Sequence, residues 1–465
     1  MPSQDTDGLK KPEATKRKQI RKYVMLGKNR GKSRNFRPAS SDEPRNGQEA
    51  SRELVAKMKY PALPNQVGDE LSFTRFAAPV APQLMRDILK FSLMAKKVMY
   101  PLESCIEFHR KDKVDTFYFN LMTYDPTYLH AVAFSCQAFF NTASPRETAE
   151  MTQRSVAHHS AALKQLRERL SNQGEEIKFS DSTVLVILCL TMHAHFTDDY
   201  IMAKQHMEGL RKVVDLRGGL AGFSYNSKLV MEILKCDLGI ALFNGTEPFF
   251  FRDPCSEPMI HYELGCFTVD TPDLLKPEPW VPVEWNLNAD LLRAWTVMKR
   301  FCSTINSASK RNRRLPKEIL LNTMASVMYR LLGMKDFDTN SANEAIRLGL
   351  LAFTSHIFLD FQNMKPPQKV FPMKYRECLQ NIECPADAAF TMLWLLTIGA
   401  ISVFTPTDDH WLMPLLRDHM RYCQISEWED LRGHLKCLLW IGVLHDKPGE
   451  RVFRTVGLPL SCDTE

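Results

Sequence analysis

From about Leu71 onward the apolar residues of this chain fall into a succession of helix-length segments. The stretch Gln153–Leu170 shows the period most clearly. There Val156, Leu163, Leu166 and Leu170 stand at steps of seven, three and four with polar residues between them, Pro145 opens the segment and Gly174 closes it. The same pattern predicts helices over Pro82–Glu107, Tyr128–Asn141, Asp181–His195, Tyr200–Arg217, Ser227–Asn244, Leu287–Ser307, Lys317–Leu332, Ala342–Phe361, Asp387–Phe404 and Ile425–Leu439. No hairpin series and no repeat of fixed period is visible, so the expected fold is all-α, an array of about a dozen helices over residues 71–465. Between Pro248 and Trp285 the prolines crowd together (Pro254, Pro258, Pro272, Pro277, Pro279, Pro282), which predicts an irregular connection and an internal seam near 248–285.

Residues 1–70 follow no such period. Pro, Ser, Asn, Gly and charges crowd Ser33–Gln48, as expected of a disordered arm. Lys16–Met25 is the exception: it alternates basic residues with Ile20, Tyr23 and Val24 and is free of Gly and Pro. It is expected to become a short helix when bound and to be coil alone.

Composition narrows the class. Hydrophobic residues at 44% and charged residues at 25% exclude wholesale disorder. Only 20 glycines in 465 residues, against about 7% on average, disfavour folds that spend glycine on phosphate loops and tight turns. Charge position says more than the net of +6. Residues 1–60 carry 16 Lys or Arg and 7 Asp or Glu, and the remaining 405 carry 44 and 47, so all the excess positive charge lies in the arm. A cationic arm on a near-neutral body seeks a polyanion or an import receptor. The N-terminus lacks the apolar run of a secretory signal, and twelve cysteines are scattered, many in apolar runs as at Cys136, Cys189 and Cys437; both predict an intracellular chain with reduced thiols.

Candidate chemistry is sparse. No Cys-x-x-Cys pair exists, so a local zinc finger or binuclear cluster cannot be assembled. Leu26–Ser33 (LGKNRGKS) lacks the first glycine of a phosphate loop and the buried strand before it. His193-Ala-His195-Phe-Thr197-Asp198 approaches a dinuclear metal-hydrolase ligand set, but Thr197 and Asp198 stand where an acid and a histidine are needed, which leaves helix-end histidines. With no nucleophile elbow, paired catalytic histidines or dinucleotide fingerprint, the expectation is no enzyme, no cofactor and no metal. Ala388–Phe404 has 17 residues without a charge. It falls short of the ~20 needed to cross a bilayer and is flanked by Asp387, Asp408 and Asp409, so it is expected to be a core helix, with no membrane as partner.

Two sets of residues stand out as candidate sites. Lys16, Arg17, Lys18, Arg21, Lys22, Lys28, Arg30, Lys32, Arg34 and Arg37 place ten positive charges in 22 residues with no acid among them, enough to neutralise several phosphates or to fill the acidic grooves of a nuclear import receptor. An isolated arm offers no rigid element to aim at base edges, so backbone contact is expected, not base reading. The second set is His206, Arg217 and Asp237. His206 and Arg217 are eleven residues apart and are expected on one face with Met202, Leu210 and Val213, ahead of the double glycine Gly218-Gly219 that closes the helix. Asp237 falls on an apolar face between Leu234 and Ala241 and needs a partner; Arg217 is the expected one, in a structural ion pair or a ligand-sensing polar spot.

Three blocks carry a resemblance. HMEGLRKVVDLRGGL (206–220), followed by Asp237 and Gly245-Thr-Glu-Pro248, is similar to the fungal-specific transcription factor domain found behind binuclear zinc clusters in fungal regulators. So are Ser426-Glu-Trp428-Glu-Asp and Leu438-Leu-Trp440 ahead of His445-Asp446-Lys-Pro-Gly449, and the arm's IRKYVMLGKNRGK. The resemblance implies an all-α regulatory body, nuclear residence and control of transcription, often of metabolic or secondary-metabolite biosynthetic gene clusters, and it is compatible with a homodimer. The zinc cluster that reads DNA in many relatives has no cysteine set here, so sequence-specific binding does not carry over. Weak backbone contact with DNA through the arm, or a DNA-binding partner protein, takes its place. The competing reading is a helical interaction or ligand-sensing protein that uses the arm only for import.

Overall fold

A computed structural model describes residues 76–79, 81–108, 116–143, 149–172, 174–253, 255, 257–262, 286–334, 337–359 and 370–457. The ten cations of the arm, the Lys16–Met25 segment, the arm–body boundary near residue 70 and residues 263–285 of the proline-rich connection lie outside them.

Helices account for most of the described chain. They are α1 (Pro82–Met99), α2 (Thr116–Tyr124), α3 (Pro126–Ala143), α4 (Ala149–Asn172), the single turn α5 (Glu175–Lys178), α6 (Asp181–Phe196), α7 (Tyr200–Leu216), α8 (Ser227–Asn244), α9 (Ala289–Lys310), α10 (Lys317–Gly333), α11 (Ala342–Phe358), α12 (Val370–Asn381), α13 (Ala389–Ser402), α14 (Asp409–Tyr422), α15 (Trp428–Cys437) and α16 (Gly442–Val456). The all-α expectation holds. The one sheet among the described residues is a two-residue parallel bridge in which β1 (Ile106–Glu107) pairs with β2 (Leu315–Pro316).

Local chemistry sets many of the starts. Ser180, Asp199, Asn226 and Ser341 accept hydrogen bonds from the third backbone N–H of α6, α7, α8 and α11, supplying partners that a helix N-terminus otherwise lacks. At the end of α7, Gly218 (φ 88°) and Gly219 (φ 77°) are left-handed and donate to Asp215 O and Val214 O, the double-glycine stop the sequence announces.

Five helices escaped the sequence pattern: α2, the single turn α5, α12, α14 and α16. The last two contain Pro414 and Pro448, which punctuate a sequence but are accommodated here inside continuous helices. Gly449 also misleads. A Cβ there would come within about 3 Å of the Trp428 and Trp440 rings, so glycine marks a close approach in mid-helix and not a helix end.

The helices pack in succession. α3 lies against α1, α2, α4 and α6; α6 against α7 and α8; α8 against α10 and α12; α10 against α9 and α11; α13 against α11, α14, α15 and α16. All described residues belong to one compact unit. α13, the charge-free run, is buried on nearly every face, with Trp394 against Trp295 (ring centroids 4.9 Å) and its indole N–H donating to Leu439 O at 2.8 Å. Glu176–Phe196 reaches the length and hydropathy of a membrane span, but α6 within it is packed by α3, α7 and α8 and is mostly buried.

α4 departs from its expected stripe. Val156 is 58% exposed and Leu170 39%, while Ala162, Leu166 and Arg169 are buried. The inner face is partly polar because Arg169 finds a full set of acceptors: Asp125 at 2.6 Å, Thr127 at 2.8 Å, and Ser182 and Thr183. A periodicity count that treats arginine as an outward residue rotates the helix the wrong way.

Candidate functional site

The helix starts and stops around the double glycine bring α6, α7 and the first turn of α8 together at the surface. The turn after Gly219 is a short 3₁₀ stretch, Leu220–Phe223, whose Phe223 is fully buried. The Arg217 guanidinium lies over that ring at 3.8 Å. One of its nitrogens donates to Asp181 Oδ1 at 2.7 Å and to Phe179 O at 2.9 Å, and the other donates to the Tyr225 hydroxyl, which in turn donates to Asp181. Glu176, Phe179, Ser180, Asp181, Arg217 and Tyr225 line an open cleft of about 470 Å³, in which Tyr225 is 66% exposed. The cleft offers two carboxylates, a phenol and a guanidinium that is already committed. It has no general base poised beside a nucleophile, and among the described residues no three His, Cys, Asp or Glu converge as metal ligands.

The expected pairing of Arg217 with Asp237 does not form. Arg217 takes Asp181, at the start of α6, and Asp237 forms no ion pair among the described residues, with Arg252 only near enough to favour its ionised form. Asp237 is fully buried on α8, where its carboxylate accepts from the backbone N–H of Phe249 (2.6 Å), the N–H of Phe250 (3.0 Å) and the Tyr329 hydroxyl (2.8 Å). Burial pushes its pKa up to about 6, and these donors pull it back toward the ionised form. Two backbone N–H groups and a phenol replace the missing cation because the chain turns back over α8 immediately after Gly245, which caps the helix at φ 65°. The α7 arginine that does serve this segment is Arg211. It donates to Phe249 O and Glu257, and Glu257 accepts from the Phe251 N–H. Sequence spacing had pointed six residues too far along the helix.

His206 belongs to neither group. The buried stripe of α7 is Ala203, Met207, Leu210, Val213 and Val214, with Met202 outside and His206 half-buried. Burial lowers the His206 pKa and nearby His159 lowers it further, while Asp199 opposes them. The three candidate residues therefore share no partner.

The block around Trp440 and Asp446 also closes on itself. Asp446 accepts from the Trp440 indole N–H at 2.7 Å and from Arg432, and Asn306 bridges Trp440 O and the Gly442 N–H. Both clusters are clasps, in which polar side chains capture backbone groups at a chain reversal.

Residues 97–236 match the fungal specific transcription factor domain. The matched stretch runs from the last turn of α1 into α8, so it contains the whole cleft with Asp181, Arg217 and Tyr225 and ends one residue before Asp237. Searches of curated proteins and of solved structures returned no match. The match over these residues supports, in general terms, a role in regulating transcription.

Proposed function

We propose that this protein is a nuclear transcriptional regulator in which a helical regulatory body carries a basic N-terminal arm that contacts nucleic-acid backbone or an import receptor. The observation that carries the reading is the match of residues 97–236 to the fungal specific transcription factor domain. The arm supports it: ten Lys and Arg between Lys16 and Arg37, with no acid among them, suit a polyanion and not an ordered core. The body supports it by what its polar groups do, since the cleft and the clasps hold chain segments in place. A metabolic or biosynthetic gene cluster is the class of target. Weak backbone contact with DNA, or a DNA-binding partner protein, provides the route to it, and a second copy of the chain is a further candidate partner.

Salt dependence tests direct contact. Retention on duplex DNA is expected to fall steeply as salt rises, with a slope set by the number of phosphates neutralised, and to vanish when the arm's Lys and Arg become Ala. Unchanged retention in that variant would refute direct contact through the arm. Mapping of crosslinked chromatin with intact and arm-deleted protein, the latter with a heterologous import signal, separates import from binding. Occupancy restored by the signal alone favours the competing reading, in which the arm serves only import and DNA is reached through a partner.

A further inference from the structure

Five of the thirteen histidines, His130, His158, His159, His193 and His206, lie on α3, α4, α6 and α7, three of which pack on one another around α3. His159 and His193 flank Phe134, with ring centroids 5.1 Å apart. His130 and His158 do something different. Their Nδ1 atoms point at each other across the α3–α4 interface at 2.8 Å, with ring centroids 5.0 Å apart and both residues half-buried. One Nδ1 must carry a proton and the other a lone pair.

We propose that His130 and His158 form a two-histidine site for a divalent transition-metal ion of borderline softness, Zn²⁺ or Cu²⁺, which bridges α3 and α4 through the two Nδ1 atoms. A tetrahedral ion bound at ~2.0–2.1 Å needs its two nitrogens about 3.3 Å apart, so the rings must separate by roughly half an ångström. The donor's Nδ1 proton moves to its Nε2, leaving two neutral imidazoles that each present a lone pair, with no net proton released. No third His, Cys, Asp or Glu joins them among the described residues, so water fills the remaining positions. That makes the ion exchangeable, unlike the closed four-ligand sites of structural zinc, and Cu²⁺ is expected to bind more tightly than Zn²⁺.

The test uses the full chain without an affinity tag, with ZnCl₂ and CuCl₂ as separate probes in equilibrium dialysis. The expected result is one exchangeable ion per chain, weakened at least the ~10-fold that loss of even an outer-sphere partner costs in both His130→Gln and His158→Gln, and unchanged in His410→Ala, an exposed histidine on α14. Glutamine keeps a hydrogen-bonding side chain at each position. Should either variant fail to fold, an EDTA-reversible rise in melting temperature of the wild type, together with two-imidazole coupling in the Cu²⁺ electron paramagnetic resonance spectrum, carries the test. A wild type that takes up no ion, or variants that bind as the wild type does, would overturn the proposal and leave a proton-sharing histidine pair.

Discussion

The Asp237 clasp and the Arg217 cleft lie in neighbouring parts of the same fold and solve the same problem in opposite ways. At Asp237 a carboxylate is buried completely, and backbone N–H groups and a phenol, not an ion pair, supply its hydrogen bonds. At Arg217 a guanidinium with a 17% exposed side chain pairs with a carboxylate that is 12% exposed, beside an open cleft. The difference shows that an acid on an apolar helix face need not imply a basic partner. A chain reversal that delivers backbone donors meets the same electrostatic need and also fixes where the chain turns.

The largest expected effects lie on the buried side. Asp237→Ala leaves two backbone N–H groups and Tyr329 without an acceptor, and at about 1–3 kcal/mol per unsatisfied group the loss of unfolding free energy in urea should reach about 3–5 kcal/mol. Asp237→Asn, which retains one oxygen acceptor, should lose less than half as much. Equal losses in the two variants would show that packing, and not the clasp, sets the cost. Arg169→Ala strands Asp125 in the core, where both side chains are below 10% exposed, and should cost about 3–5 kcal/mol. Burial alone would raise the Asp125 pKa, but hydrogen bonds from Arg169, Ser182 and the Tyr128 N–H hold it below the usual carboxylate range. Protonation of Asp125 therefore removes stability only in acid, below the ordinary carboxylate range.

pH separates the two kinds of buried group further. Burial lowers His195 to about 4 and depresses His130, His158, His159, His193, His206 and His445, so the unfolded chain binds more protons and stability should rise as pH climbs from about 4 toward 6.5. Asp237 runs the other way. Its pKa is raised to about 6, so its contribution falls as pH rises from the ordinary carboxylate value to about 6. The histidines outnumber it, and a net gain in stability is expected across this window. Asp237→Asn should steepen that gain in thermal melts at pH 4.5, 5.5 and 6.5; an unchanged slope would show that Asp237 does not titrate in this window.

Smaller effects belong to the surface. Arg217→Ala should cost about 1–2 kcal/mol, because the Asp181 and Phe179 oxygens left behind can be rehydrated in the open cleft. Arg454→Ala, which breaks an exposed pair with Glu450, should change stability by less than about 0.5 kcal/mol. An Arg217→Ala loss as large as that of Asp237→Ala would erase the distinction between the two regions.

Much of the fold was legible. Ser227–Asn244 was predicted to the residue, and the boundaries of α6, α7 and α10 fall within a residue or so, because each begins after a Ser, Asp, Asn or Pro and carries its apolar residues at helical spacing. The site was less legible. The sequence marked Arg217 and Asp237 as unusual and could not say whom they meet, since Asp181 nears Arg217 only after α6 and α7 have packed and Phe249–Phe250 near Asp237 only after the chain turns back over α8. The same holds for Arg169, counted as a solvent-facing residue, and for His130 and His158, which are 28 residues apart and carry no spacing signal.

Local chemistry along the chain determined which segments become helices, where most of them start and stop, and that the positive charge is gathered at one end. Those properties depend on residues within one or two turns of each other, so a linear pattern contains them. Only the tertiary structure decided which acid met which donor, which face of α4 turned inward and which histidines came together. Those contacts join residues a dozen or more positions apart, and for a buried polar group the energy lies almost wholly in the partner.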